Sequence, residues 1–204
     1  IYCVIRFRIL RIRFLEEIGQ YLPTGGRVME VGCGFGLFAL YFASIHPDLQ
    51  IRAVDLDEKR IAAAEASQHK LGINNVTFEI GDATQIDLGS GPLDAVYMLD
   101  LIHHIPPVSA RQLVHQAYEV LRPGGVLIIK DVDTRPRWKM TFTLVLDLLM
   151  TGGERPDYWS SAELADLLQG EGFKVFRHSM VDLLPYPHQL FVAIKGSETD
   201  PASS

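Results

Sequence analysis

VMEVGCGFG, residues Val28 to Gly36, is the stretch on which the reading of this chain turns. A short apolar run ends in three glycines at alternate positions, Gly32, Gly34 and Gly36. Glycine reaches backbone conformations that other residues avoid, and it lets another group approach the main chain closely. In an open sheet wound with helices, ligands sit outside the carboxyl ends of the strands. A glycine loop at the end of a first strand therefore reads as the floor of a binding site, backed by the free N–H groups of the next helix.

Downstream the chain keeps alternating β-rich runs with helical ones. RVMEV (27–31) is followed by a helix over GLFALYFASIH, strand IRAVDL (51–56), helix DEKRIAAAEASQHKLG, and strands VTFEIGDA (76–83) and LDAVYMLD (93–100). Helix SARQLVHQAYEVL and strand GVLIIKDV (125–132) come next. This order predicts a parallel sheet covered by helices on both faces. Gly72 is placed to close one helix, and Arg122-Pro123-Gly124-Gly125 to turn the chain into a strand. Ser160 stands three residues before Glu163, a capping-box spacing for helix SSAELADLLQ, which Gly170 and Gly172 stop. GFKVFRHSM and HQLFVAIKG, joined by VDLLPYP, are expected to pair antiparallel.

Residues 23–196 thus form one expected domain. Residues 1–22 read as a helical segment and candidate lid, although Ile5, Phe7 and Ile9 alternating with Arg6 and Arg8 also suit a strand. WKMTFTLVLDLLMTGG (138–153) reads as an apolar helical insert, and 197–204 as a flexible tail.

The 204 residues, 48% hydrophobic and 22% charged, describe an ordinary globular chain. A net charge of -6 argues against a protein whose main task is gripping nucleic acid. Two cysteines, Cys3 and Cys33, are too few for a disulfide framework and fit a cytoplasmic setting. The opening IYCVIRFRIL is interrupted by arginines and is shorter than a spanning helix of about 20 residues.

Spacing separates the nucleotide-binding loops. The dinucleotide fingerprint would need a third glycine where Leu37 stands, and the Lys-Ser/Thr pair of a P-loop is missing. The pattern present is E-x-G-x-G-x-G from Glu30 to Gly36. It is followed by AVDLD with Asp55, GDA with Asp82, LDLIHHI and LRPGG. With these residues the chain resembles the class I S-adenosylmethionine (SAM) dependent methyltransferases. The resemblance implies a Rossmann-like, doubly wound α/β sheet in three α/β/α layers, mostly parallel with an antiparallel C-terminal strand. It also implies SAM as cofactor and S-adenosylhomocysteine (SAH) as product. The cofactor-binding residues it points to are Glu30, Gly32, Gly34 and Gly36, then Asp55 and Leu56, Asp82 and Ala83, and Leu99. Asp55 would accept the ribose hydroxyls and Asp82 the adenine amino group. Asp57 is placed to cap the following helix.

Methyl transfer to oxygen, nitrogen or carbon needs alignment of donor and acceptor and, for oxygen or carbon, removal of a proton. Asp100, His103 and His104 stand after the fourth strand where that proton acceptor belongs, against a packing role for the histidines. His104 is preferred because it would share a helical face with Asp100. Asp100, Asp131 and Asp133 could form a magnesium set, but the asparagine beside the acid in the catechol-type branch is missing, so no metal is expected. The N/D-P-P-Y/F turn of amino-methylating enzymes, the cysteine of cytosine methylation and the lysine tetrad of ribose methylases are also missing. A small-molecule or lipid-like acceptor is left, with nucleic acid disfavoured.

Trp138, Met140, Phe142, Leu144 and Leu148 of the insert suit a lid over an apolar substrate, core packing or a homodimer face. The arginines of residues 1–14 suit peripheral membrane contact or a solvated helix. The rival functions are aminopropyl transfer on the same scaffold and a non-catalytic, methyltransferase-like binding subunit.

Overall fold

The computed structural model describes residues 12–89, 91–134, 157–180 and 187–197. Helix α1 (Ile12–Gly19) precedes strand β1 (Gly25–Val31), α2 (Leu37–Ile45), β2 (Asp48–Asp55), α3 (Glu58–Leu71), β3 (Val76–Ile80) and β4 (Leu93–Leu99). A short 3-10 turn (Ile102–His104), α4 (Pro107–Val120), β5 (Leu121–Val132), α5 (Ser161–Gly170), β6 (Phe173–Ser179) and β7 (His188–Lys195) complete it. The seven strands lie in the order β3-β2-β1-β4-β5-β7-β6. All neighbours are parallel except β7, which runs antiparallel to both β5 and β6. The winding reverses between β1 and β4, so the glycine loop opens at the switch point where such sheets bind ligands.

Alternation along the strands sorts the core into two layers. Val28, Ile51, Ala95, Tyr97, Ile128 and Val192 face α1, α2 and α3 through Phe14, Ile18, Phe42 and Ile61. Met29, Val96, Met98, Leu127, Ile129 and Phe191 face α4 and α5 through Leu113, Val114, Leu164 and Leu168. This is the three-layer arrangement expected from the sequence.

Local chemistry sets the helix ends. The Asp57 side chain accepts from the N–H groups of Lys59 and Arg60 at the start of α3, and Gly72 closes that helix with φ +68. Ser160 and Glu163 form a full capping box on α5. At the amino ends of the strands, Asp94 takes the Arg27 N–H at 2.8 Å and Arg122 Nε at 2.6 Å, stitching β1, β4 and β5 together.

Several boundaries differ from the sequence expectation. β3 stops at Ile80 rather than Ala83, because Asp82 closes a turn on Thr84 and withdraws from the ladder. β5 begins at Leu121 rather than Gly125, through a Leu93–Leu121 pair followed by a register shift. Helix α4 starts at Pro107, ahead of the expected Ser109, where proline costs no hydrogen bond. The insert 138–153 and the start of the 1–22 segment lie outside the described residues, as does the tail from 198. No described helix is long and apolar enough to cross a membrane.

Candidate active site

The three glycines of the opening motif have different reasons to be glycine. All have positive φ: +80 at Gly32, +55 at Gly34 and +71 at Gly36. A Cβ on Gly36 would stand 2.6 Å from Phe78 and 2.8 Å from Ala64, so this position serves the packing of β3 and α3. A Cβ on Gly32 would meet Leu101 at 2.9 Å, where the loop after β4 closes on the glycine loop. A Cβ on Gly34 would meet nothing within 4 Å. Only this glycine faces open space, and there a ligand can reach the backbone.

Asp55, at the end of β2, is positioned by that loop. Its Oδ2 accepts the Gly34 N–H at 2.7 Å and its Oδ1 the Asp57 N–H at 3.0 Å. A carboxylate has about four acceptor positions, so each oxygen keeps capacity for a ribose hydroxyl. Leu56 beside it is 68% exposed, and Ile80, paired with Asp55 across the ladder, is 58% exposed. These are apolar platforms at the mouth of the site. Asp82 is held by the Thr84 N–H and hydroxyl, both at 2.8 Å, and the N–H and hydroxyl together hold its carboxyl below the usual range.

Glu30, Leu99 and Ala83 sit deeper. Glu30 is buried and accepts the Tyr97 hydroxyl at 3.0 Å. Burial, with the Glu30 charge next, drives the Tyr97 phenol well up, so it stays a donor. Leu99 belongs to the core, and Ala83 packs half-buried beneath the α4 face. Cys33 is buried, and burial together with the Glu30 and Asp55 charges pushes its thiol far up, leaving it a thiol rather than a nucleophile.

A second cluster is built on the end of β5, where neighbouring residues point to opposite faces. Lys130, 2% exposed, turns toward α1 and donates to the Asp100 carboxylate and to His188 Nε2 at 3.0 Å. Phe14 of α1 lies beneath the ammonium, 5.2 Å from ring centroid to Nζ. Asp131 turns the other way and pairs with His103 Nδ1, and its second oxygen takes the His103 N–H at 3.2 Å. Because a carboxylate only accepts, Nδ1 carries the proton and Nε2 is the basic nitrogen of His103. The His103 ring stacks on Tyr158 at 18° and lies 4.0 Å from the His104 ring, and His104 is exposed.

The structure therefore brings Asp100, His103 and His104 onto one turn. It gives Asp100 to Lys130 and the buried His103 to Asp131. Asp131, weighed from sequence for a magnesium set that was set aside, pairs with a histidine, and Asp133 accepts the Ser161 N–H at 3.2 Å. Among the described residues no three His, Cys, Asp or Glu side chains group to hold a metal ion. The roles of Lys130 and of His188 were not read from sequence. One signal was available, a lone lysine in the otherwise apolar run GVLII before Asp131.

A family model described as a methyltransferase domain matches residues 28–125, which carry the glycine loop, Asp55, Asp82 and the histidine turn. Over these residues the chain matches the methyltransferase-domain family, and its sheet has the class I SAM-dependent methyltransferase architecture. Across 122 residues it is 30% identical to the 27-O-demethylrifamycin SV methyltransferase of Amycolatopsis mediterranei (strain S699), covering 58% of this chain and 44% of that protein. It is 27% identical over 175 residues to O-methyltransferase cnsE of Penicillium expansum, covering 80% of this chain and 58% of the relative. The methyltransferase domain thus spans about half the length of these two curated relatives. The solved O-methyltransferase family protein from Burkholderia thailandensis superposes with a TM-score of 0.76 at 19% identity, over 91% of this chain and 56% of that one, a likeness of fold.

SAM comes with this family, and the methyltransferase residues fit it. Gly34 offers space against the backbone, Asp55 two oriented oxygens, and Leu56 and Ile80 apolar cover for a base.

Proposed function

We propose that this protein transfers a methyl group from SAM to a hydroxyl oxygen of a small, partly apolar acceptor, with His104 and His103 as the proton-accepting pair. The observation that carries the reading is the His103–Asp131 pair on a turn that packs, through Leu101, directly on Gly32 of the glycine loop. A hydroxyl must lose its proton as it attacks carbon, and an exposed imidazole set beside a carboxylate-held one is suited to take it. When bound, SAM supplies an electrophilic methyl group on a sulfonium, and SAH leaves as a neutral sulfide.

The chain supplies the rest. Asp55 and the backbone at Gly34 orient the nucleoside. His104, exposed beside the buried ring of His103, receives the hydroxyl proton, and Asp131 holds His103 in the tautomer that presents Nε2. The name of one curated relative, an O-methyltransferase, and the O-demethylated substrate in the name of the other support oxygen as the acceptor atom.

The test begins with calorimetric titration by SAH, followed by labelled methyl transfer to a panel of apolar phenols and alcohols beside matched amines. Transfer to hydroxyls that fails in a His104→Ala variant supports the proposal. Transfer to amines alone would overturn the acceptor atom, and a folded protein that ignores SAH would overturn the enzyme reading.

A further inference from the structure

The loop after β4 is clamped from both faces of β5, and only one of the two clamps belongs to the proton-accepting pair. Asp100 has φ +58, the one non-glycine residue with positive φ among those described. This conformation is unfavourable for an L-residue, so surrounding contacts must hold it. Two contacts come from a single residue. The Asp100 N–H donates to the Lys130 carbonyl at 2.8 Å, and the Lys130 ammonium donates to the Asp100 carboxylate. An ammonium has three donors and no acceptor, so the 3.0 Å contact to His188 Nε2 makes that nitrogen the acceptor and places the ring proton on Nδ1. His188 in turn is fixed at the start of β7 by its register with Val132.

The strained residue lies immediately before Leu101, which packs on Gly32, and shortly before the 3-10 turn that carries His103 and His104. A lysine buried to this degree is costly to keep unless a partner compensates it. Here two of its donors go to Asp100, ahead of the 3-10 turn, and to His188 at the start of β7.

We propose that Lys130 and His188, acting through the Asp100 carboxylate, are positioning residues that hold the histidine-bearing turn against the glycine loop. The inference rests on the reading of this site as a methyltransferase centre. It assigns Asp100 an anchoring part and leaves proton acceptance to the histidines.

Hydrogen–deuterium exchange of the segment 100–105 in cofactor-free protein tests the clamp directly, and SAH titration tests its consequence. Both are run on wild type, K130M, D100N and the double variant. Each single substitution is expected to speed exchange in that segment about tenfold or more and to weaken SAH binding by a similar factor. The double variant should be no worse than either single one, because the residues act as one unit. Wild-type exchange at 100–105 in folded K130M, or losses that add in the double variant, would overturn the inference. If K130M does not fold, H188L and H188Q decide. Faster exchange in H188L restored by H188Q, which keeps an acceptor for the ammonium, supports the clamp, and equal exchange in the two overturns it. Failure of wild type to bind SAH would count against the methyltransferase reading alone, since the exchange arm is read without cofactor.

Discussion

The backbone N–H of Gly34 donates to Oδ2 of Asp55 across 2.7 Å, so the loop after β1 and the end of β2 are tied by one carboxylate. The other oxygen of Asp55 holds the Asp57 N–H at the start of α3. Asp55→Ala removes both bonds together with the ribose acceptor. A hydrogen bond to a charged group contributes about 1.5–3 kcal/mol, so SAH affinity is expected to fall at least about tenfold. Calorimetry on the two proteins is the check, and wild-type affinity in the variant would take Asp55 out of the site.

Gly34 and Gly36 should respond to alanine in opposite ways. At Gly36 the new methyl group meets Phe78 and Ala64 at a φ of +71, a combined cost of about 2–4 kcal/mol that urea denaturation would show. At Gly34 it meets nothing, so only the backbone cost of about 1–2 kcal/mol applies. The larger loss in Gly34→Ala is expected in SAH binding, because its methyl group occupies the open face. Equal effects on stability and binding at both positions would contradict this division.

Asp131→Asn keeps the shape of the residue while offering an N–H where His103 needs an acceptor. Turnover is expected to drop about 10–100-fold with SAH affinity nearly unchanged, since second partners of this kind orient a base without touching the cofactor. Steady-state rates beside SAH titration separate the two effects. A matching fall in both would make Asp131 a structural residue only.

Asp94 should make stability depend on pH. Burial by itself would raise its carboxyl, but the Arg122 and Arg27 hydrogen bonds outweigh this and hold it below the usual range. Its contribution is therefore full above about pH 4 and is lost as pH falls through the lowered folded value. Asp94→Ala is expected to cost about 1–2 kcal/mol at pH 7 and clearly less at pH 3. Urea midpoints of both proteins at the two pH values give the answer, and a constant difference would exclude the linkage.

The fold was legible because its signals are local. The short apolar runs of RVMEV and GVLIIKDV, the Gly72 stop and the Ser160–Glu163 box each act within a few residues and agree with one another. The meeting of Gly34 with Asp55 was legible for a related reason, since Gly34 lies in the loop after β1, Asp55 ends β2, and parallel strands bring such ends to one edge. The second cluster depends on register between strands distant in sequence. Lys130 reaches a residue 30 positions away and another 58 positions away, and no periodicity encodes that meeting. Asp131 carried the right chemistry for a metal set, but only the pleat reveals that it faces His103 and away from Asp100.

The placement of β7 bears on how the chain reaches this state. It is the last of the described strands in sequence, yet it lies between β5 and β6, with Leu190, Phe191, Val192 and Ala193 at most 4% exposed. Until it arrives, β5 presents a bare row of N–H and C=O groups beside an apolar surface, and β6 has no neighbour at all. An unpaired edge of this kind invites pairing with other chains. During synthesis the half-sheet must wait with that edge exposed until His188–Lys195 has left the ribosome, so a pause before this strand emerges leaves the chain open to pairing with its neighbours.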